Sequence, residues 1–239
     1  HAVCAYKFTF ENNRVFHGNW RMINPSYEGG GSKAIHTLDS VWRGNEYGWH
    51  YGYGLWTDGY DSGNVIENNV CHDVSRAGIF TEIDYNNTIR DNVSYNNGVG
   101  IQIGESANET IERNILVNNG IGVRMRWFFR KNGGREGMRV DADHWSKRAV
   151  RRAAPKARFL KWLREYDRQI RPWDSWPNKH NRIYDNFFYN NDLAIWEYMN
   201  YADPADEIFF KYVGNLSDRN LFVNTRREDL FGYRNGRYK

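Results

Sequence analysis

The sequence predicts an all-β solenoid, a parallel β-helix with one helical insertion, and three observations carry that expectation. An apolar residue followed three places on by Asn recurs at Phe10 and Asn13, Trp42 and Asn45, Ile66 and Asn69, Ile89 and Asn92, Ile111 and Asn114, and Ile183 and Asn186; Leu216 and Asn220 repeat it more loosely. The central Asn positions 45, 69, 92 and 114 are 24, 23 and 22 residues apart, a spacing that makes one period one turn of a coil. Short alternating runs follow, in which Leu55, Ile79, Ile101, Val123 and Ile195 precede Trp56, Phe80, Gln102, Arg124 and Trp196. Period-two alternation in runs this short reads as strand, one side chain inward and the next outward.

A helical solenoid needs apolar spacings of three and four over ten or more residues, and the central repeats lack them. Even strand spacing with Asn and Gly turns, and no room for crossover helices, fits a β-coil. Stacked aliphatics fill its bore, and stacked Asn side chains hydrogen-bond from turn to turn as in other in-register ladders. A second polar signal, at Asp73, Asn96, Asn118, Asn190 and Asn224, marks another turn in most copies.

At 239 residues the chain is long enough for one sizeable core, and the continuous repeat argues for a single domain over 1–239. The period breaks over 127–178, where 14 Lys and Arg stand against 6 Asp and Glu; the remainder carries 19 against 23. Within that stretch Phe159, Leu160, Trp162, Leu163 and Tyr166 have helical spacing, with Pro155 starting or kinking the helix. A basic helix of this kind is either a nucleic-acid footprint or a solvated face. Insertions in repeat proteins favour the functional face, so a lid or wall beside a groove is expected and a nucleic-acid partner is not. No stretch reaches the ~20 apolar residues of a membrane span, so membrane insertion is not expected. The chain opens at His1 inside sequence that already reads as structured, so any signal peptide or earlier turns of the coil are expected to lie outside it.

Aromatic residues make up 16% of the chain, with ten Trp. Trp20, Trp42, Trp49, Trp56, Trp196, Tyr51 and Tyr53 include rings read as outward, where they stack on sugar faces or pack under loops. Cys4 and Cys71 are 67 residues apart and match no metal pattern; they form a disulfide or remain buried thiols. His17, His50, His72, His144 and His180 lack zinc spacing, and no phosphate loop or Ser-His-Asp arrangement stands out.

The candidate chemistry lies in two copies of one segment, Gly54-Leu55-Trp56-Thr57-Asp58 and Gly78-Ile79-Phe80-Thr81-Glu82. On adjacent turns, Asp58 and Glu82 fall side by side, roughly 5 Å apart, in phase with the outward Trp56 and Phe80. A pair at ~5 to 5.5 Å suits a retaining glycosidase, whereas an inverting enzyme needs roughly 6.5 to 9.5 Å to admit water. Mutual repulsion raises the pKa of one member and supplies the acid; Glu82, between Phe80 and Ile83, is expected to be the drier. On the preceding turn, Lys33 and His36 are candidate substrate ligands. On the following turns, Gln102, Arg124, Arg126 and Trp196 share the face; Arg124 and Arg126 either bind a uronate carboxylate or pair with neighbouring acids. Strict alternation points Glu197 inward, and only a bulge turns it to the groove.

These repeats resemble the right-handed parallel β-helix proteins, the superfold of pectate lyases and many bacterial polysaccharide-acting enzymes, over roughly 10–126 and 180–224. The resemblance implies a secreted or periplasmic protein acting on an oligo- or polysaccharide. The paired segments also resemble those of the β-helical glycoside hydrolases that include β-xylosidases, which implies Asp58 as nucleophile and Glu82 as acid/base, with no cofactor. Asp84-Tyr85-Asn86 departs from the Asn-His-Gly run of that family. Gly-rich segments bearing Lys and His precede the Trp-Thr-Asp motif in β-helix proteins that this chain resembles, as Lys33 and His36 do here. Two rivals remain: a polysaccharide lyase with Ca²⁺ caged by Asp58, Asp61, Glu82 and Asp84, and a noncatalytic carbohydrate-binding or adhesin coil.

Overall fold

A computed structural model describes residues 2–3, 5–59, 61–127, 178, 180–199 and 214–225, with the side chains of 3, 127 and 197–199 outside that description. Among these residues every strand belongs to one of three parallel seven-stranded sheets. Each complete turn of the chain gives one strand to each sheet before rising to the next turn, which is a parallel β-helix. The first sheet takes the longest strands, among them Gly30–Ile35, Tyr53–Asp58, Ala77–Glu82, Val99–Gly104, Ile121–Trp127 and Leu193–Met199. The second and third sheets take three-residue strands, such as Thr88–Arg90 and Val93–Tyr95.

The bore is filled by like residues stacked on like. Leu55, Ile79, Ile101, Val123 and Ile195 come from the first sheet, Ile66, Ile89, Ile111 and Ile183 from the second, and Tyr47, Cys71, Leu116 and Phe188 from the third. Cys71 is thus a buried thiol, its pKa pushed up by burial; Cys4 lies outside the described residues. Trp42, read from sequence among the outward rings, is in the bore, as the register partner of Ile66. The glycine near the start of most first-sheet strands turns inward too. A Cβ on Gly78 would come 2.5 Å from Ser94 Oγ and 3.0 Å from Cys71 Cβ, closer than packed atoms approach.

Corners follow a second rule, in which one residue takes left-handed backbone and a buried polar residue usually comes next. On one turn these are Ile83 and Asp84, Asn86 and Asn87, Asp91 and Asn92, and Asn96 and Asn97. The left-handed residue reverses the chain within the turn, and Asn and Asp adopt it at least cost. The polar residue satisfies backbone that the corner removes from the sheets. Asn92 Oδ1 accepts the N–H of Asn69 at 2.9 Å, and Asn114 Oδ1 accepts that of Asn92 at 3.0 Å. Asp73, Asn96, Asn118, Asn190 and Asn224 are left-handed corner residues. The buried ladder behind them is Asn97, Asn119 and Asn191, one place on.

Outside, the second sheet stacks alternating charges. Glu67 pairs with Arg43 and Arg90 on the turns before and after it, each at 2.6 Å, so a slip of one turn would bring like charges together. The helical insertion expected over 127–178 lies outside the described residues, apart from Trp127 and Asn178. Among the described residues no helix is long and apolar enough to cross a membrane.

Candidate active site

Two outward columns of the first sheet carry most of the predicted site. Lys33, Trp56, Phe80, Gln102, Arg124 and Trp196 are successive register partners. Two residues further along each strand run Asp58, Glu82, Gly104 and Arg126. Thr57, Thr81, Ile103 and Met125 lie between the columns and are buried. Asp58 and Glu82 are therefore direct neighbours on adjacent turns, their backbones about 4.8 Å apart.

Each carboxylate has a cation. Lys33 Nζ lies 2.8 Å from Asp58 Oδ2, 3.4 Å from Glu28 Oε1 and 3.7 Å from the centre of the Trp56 ring. Arg126 Nη2 lies 3.3 Å from Glu82 Oε1, with the guanidinium 5.6 Å from the Phe80 ring centre. The side chain of Glu82 is 11% exposed and that of Asp58 19%, so Glu82 is the drier of the two.

Trp56 and Phe80 do not stand as exposed platforms. They face away from the bore but are only 5% and 0% exposed, because they stack on each other at 5.3 Å and both meet Tyr53 at 4.7 Å, Phe80 stacked and Trp56 tilted. Together with Ala77 and Val99 they form a second small core on the outer face, a floor beneath the acids. Tyr53, also read as an outward ring, belongs to it. Among the described residues the rings most open to solvent include Trp20, Tyr27, Trp49 and Tyr51.

His36 occupies the corner after Gly30–Ile35, with φ 59°, at the edge of the columns and beside Gly59. Glu197 takes the register position of Met125, in regular pairing with Trp196 and Tyr198 on either side. No bulge brings it into the groove columns. Of the two arginines, Arg126 pairs with an acid, whereas Arg124 donates through Nε and Nη2 to the amide oxygen of Gln102, the Nε bond being 3.0 Å.

The four acids that a calcium cage would draw on divide between two faces. Asp61 and Asp84 are fully buried. Asp61 accepts from the Thr37 N–H and hydroxyl and from the Asp58 N–H; Asp84 accepts from the Thr57 hydroxyl at 2.6 Å and the Asp61 N–H at 3.2 Å. They are committed to bracing the strand end that carries Asp58 and do not join a cage with Asp58 and Glu82. Among the described residues no three His, Cys, Asp or Glu side chains are grouped to hold a metal.

Burial pushes the carboxyls of Asp61 and Asp84 well above the usual range, and repulsion from neighbouring acids adds to it. Glu109 is raised to about 8 by the same desolvation. Sequence reasoning missed the third of these. Its signal was available: Glu109 stands where the repeat puts Asn64, Asn87 and Asn181.

The chain belongs to the family described as the right handed beta helix region, whose model matches residues 4–126. No curated protein matches it in sequence. Among solved structures it is similar to the A-module of the mannuronan C-5 epimerase AlgE6 of Azotobacter vinelandii, at 9% identity and a TM-score of 0.39, covering 94% of this chain and 58% of that one. It is also similar to a DFA-IIIase of Arthrobacter chlorophenolicus, at 10% identity and a TM-score of 0.41, covering 80% and 42%. A tailspike of an Acinetobacter baumannii bacteriophage, a capsular polysaccharide depolymerase, shares 7% identity at a TM-score of 0.26, covering 92% and 47%. The chain thus spans between 42% and 58% of the length of these structures. Likenesses this distant carry no argument about chemistry.

Proposed function

We propose that this protein is a carbohydrate-active enzyme, a glycoside hydrolase that cleaves a glycosidic bond with retention of anomeric configuration. The observation that carries this reading is the pairing of Asp58 with Glu82 on adjacent turns, each held by a cation on its own side. Neighbouring turns set the two backbones about 4.8 Å apart with both side chains on one face, a placement that favours the ~5 to 5.5 Å carboxyl pair of retaining enzymes over the wider pair of inverting ones. Asp58, oriented by Lys33, attacks the anomeric carbon as the C–O bond to the leaving group breaks. Glu82 delivers its proton to the departing oxygen. Water, deprotonated by Glu82, then displaces Asp58 from the glycosyl-enzyme and restores both groups. No cofactor enters this sequence, and the substrate is an oligo- or polysaccharide met outside the cytoplasm, by a secreted or periplasmic protein.

Turnover of a panel of aryl glycosides, with the anomer of the first product read by NMR, tests the proposal. Retention, lost in Asp58→Asn and reduced in Glu82→Gln, is expected. An inverted first product, or an unsaturated product seen by ultraviolet absorbance, would overturn it. Glycan binding that survives both substitutions, with hydrolysis never detected, would make the coil a binding module.

A further inference from the structure

Arg124 differs from the arginines that pair with acids along the coil. Arg43, Arg90, Arg113, Arg126 and Arg219 each meet a carboxylate. Arg124 meets the neutral oxygen of Gln102, which takes two of its N–H groups; among the described residues no acid pairs with it. Desolvation pulls its pKa down to about 10, and the nearby charges of Arg126 and Arg76 add to this against an opposing effect of Tyr53. Gln102 is fully buried, and its Nε2 has no hydrogen-bond partner. A largely desolvated guanidinium without a counter-ion, over a buried amide donor without an acceptor, is costly on both counts. An anion seated on the guanidinium would relieve the first.

We propose that Arg124 and Gln102 form a carboxylate-binding subsite, so that the substrate is an oligosaccharide containing uronate residues. Arg124 stands in the same outward column as Phe80, two turns further on and about 10 Å along the coil axis. A glycan lying along the column with its scissile bond at Asp58 and Glu82 brings a neighbouring sugar over Arg124. The planar fork of the guanidinium matches a carboxylate in two-point contact, the Gln102 oxygen holds that guanidinium in place from below, and Trp196 is the next residue of the column.

The inference rests on reading the groove as a glycan site, and binding separates it from hydrolysis. The full chain carrying Asp58→Asn is titrated calorimetrically with a galacturonate oligosaccharide, its methyl ester and a neutral xylo-oligosaccharide. The acid form should bind at least about tenfold more tightly than the ester, the worth of a charge-assisted contact. Arg124→Gln in the same background should bring that ratio close to one, with Arg124→Lys between them. Circular dichroism melts establish that each variant is folded, and the Lys variant serves if the Gln variant is not. Equal affinity for acid and ester, a preference for the neutral ligand, or a ratio untouched by both substitutions would overturn the subsite. Uronate binding that depends on Arg124, in a protein that hydrolyses no glycoside, upholds the subsite and removes the hydrolase. Retaining hydrolysis of neutral glycosides with acid and ester bound alike does the reverse.

Discussion

Arg126 reaches Glu82 across an intervening turn of the coil, Nη2 to Oε1 at 3.3 Å, because the residue between them in the column is Gly104. A Cβ at Gly104 would stand 2.8 Å from Phe80 Cε2 and 3.7 Å from Glu82 Cγ. Gly104→Val fills this gap, forces the Phe80 ring off its stack and separates Arg126 from Glu82. Overpacking of this kind costs about 1 to 3 kcal/mol, so a lowered melting temperature is expected, with a loss of turnover that persists well below it. An unchanged melt with full activity would show that the gap has no role.

Lys33 has the same function on the other side, with a difference in burial. It is 6% exposed and sits between Asp58, Glu28 and the Trp56 ring. Lys33→Met keeps the length of the side chain and removes its charge. The lost charged hydrogen bond is worth about 1.5 to 3 kcal/mol. Under the proposed mechanism a nucleophile that is no longer held loses roughly 100-fold in turnover. Chemical denaturation and kcat measured on the same variant check both numbers; a stable variant of normal kcat would remove Lys33 from the site.

How much of this was readable from sequence depends on which residues obey the repeat. The columns through Leu55 and Trp56 were readable because alternation and period fix both face and register, and they placed Asp58 beside Glu82 without coordinates. The burial of Trp56 and Phe80 was not, because a period assigns a face and does not say what the neighbours on that face do; Tyr53 buries them. The rival calcium reading drew on Asp61 and Asp84 for a related reason. A corner interrupts alternation, and only the ladder bonds from Thr37 and Thr57 show that they turn inward. Asn97 was overlooked because the repeat marks the left-handed Asn96 equally well.

The ladders themselves predict a steep cost for a small change. Asn92 accepts from the N–H and the amide of Asn69, at 2.9 and 3.0 Å, and donates to the carbonyl of Ile66 and to Asn114 Oδ1, both at 2.9 Å. Asn92→Ala leaves a buried N–H and a buried C=O of the preceding turn without partners, at about 1 to 3 kcal/mol each. A loss of about 3 kcal/mol or more in urea unfolding is expected. A loss below about 1 kcal/mol would mean that the turns do not depend on their side-chain ladder.

Glu109 gives the fold a dependence on pH that an Asn in its place would not. Its Oε1 accepts the Asn87 N–H at 3.2 Å and its Oε2 is buried without a partner. Desolvation raises its carboxyl from 4.5 to about 8, so the folded chain keeps a proton that the unfolded chain releases. Its contribution is whole below about pH 4.5. As pH rises, unfolding sheds that proton and stability falls by up to about 1.4 kcal/mol per pH unit until pH passes about 8. Asp61 and Asp84, also raised, act in the same direction. Glu109→Gln removes the proton from this balance. Relative to the parent, the variant should gain on the order of 3 kcal/mol between pH 5 and pH 8 in thermal melts; a gap of the same size at both would refute the titration.

Ile83 follows Glu82 with φ 58°, and among the described residues it is the one β-branched side chain in left-handed backbone. The same corner on other turns uses His36, Gly59 and Glu105. Left-handed backbone costs an ordinary L-residue about 1 to 2 kcal/mol, and branching at Cβ adds to it. Strain of this kind persists only where its surroundings over-determine it. Here those surroundings are Asp84, whose carboxyl takes the Thr57 hydroxyl, and the backbone bond from the Ile83 N–H to the Gly104 carbonyl at 2.8 Å. Asn fits the corner without the branch, so Ile83→Asn should raise stability by about 1 kcal/mol. If the Ile83 side chain also holds Glu82 in its working position, that gain comes with lower turnover. A variant that is less stable than the parent would show that packing of the half-buried Ile83 side chain outweighs the strain.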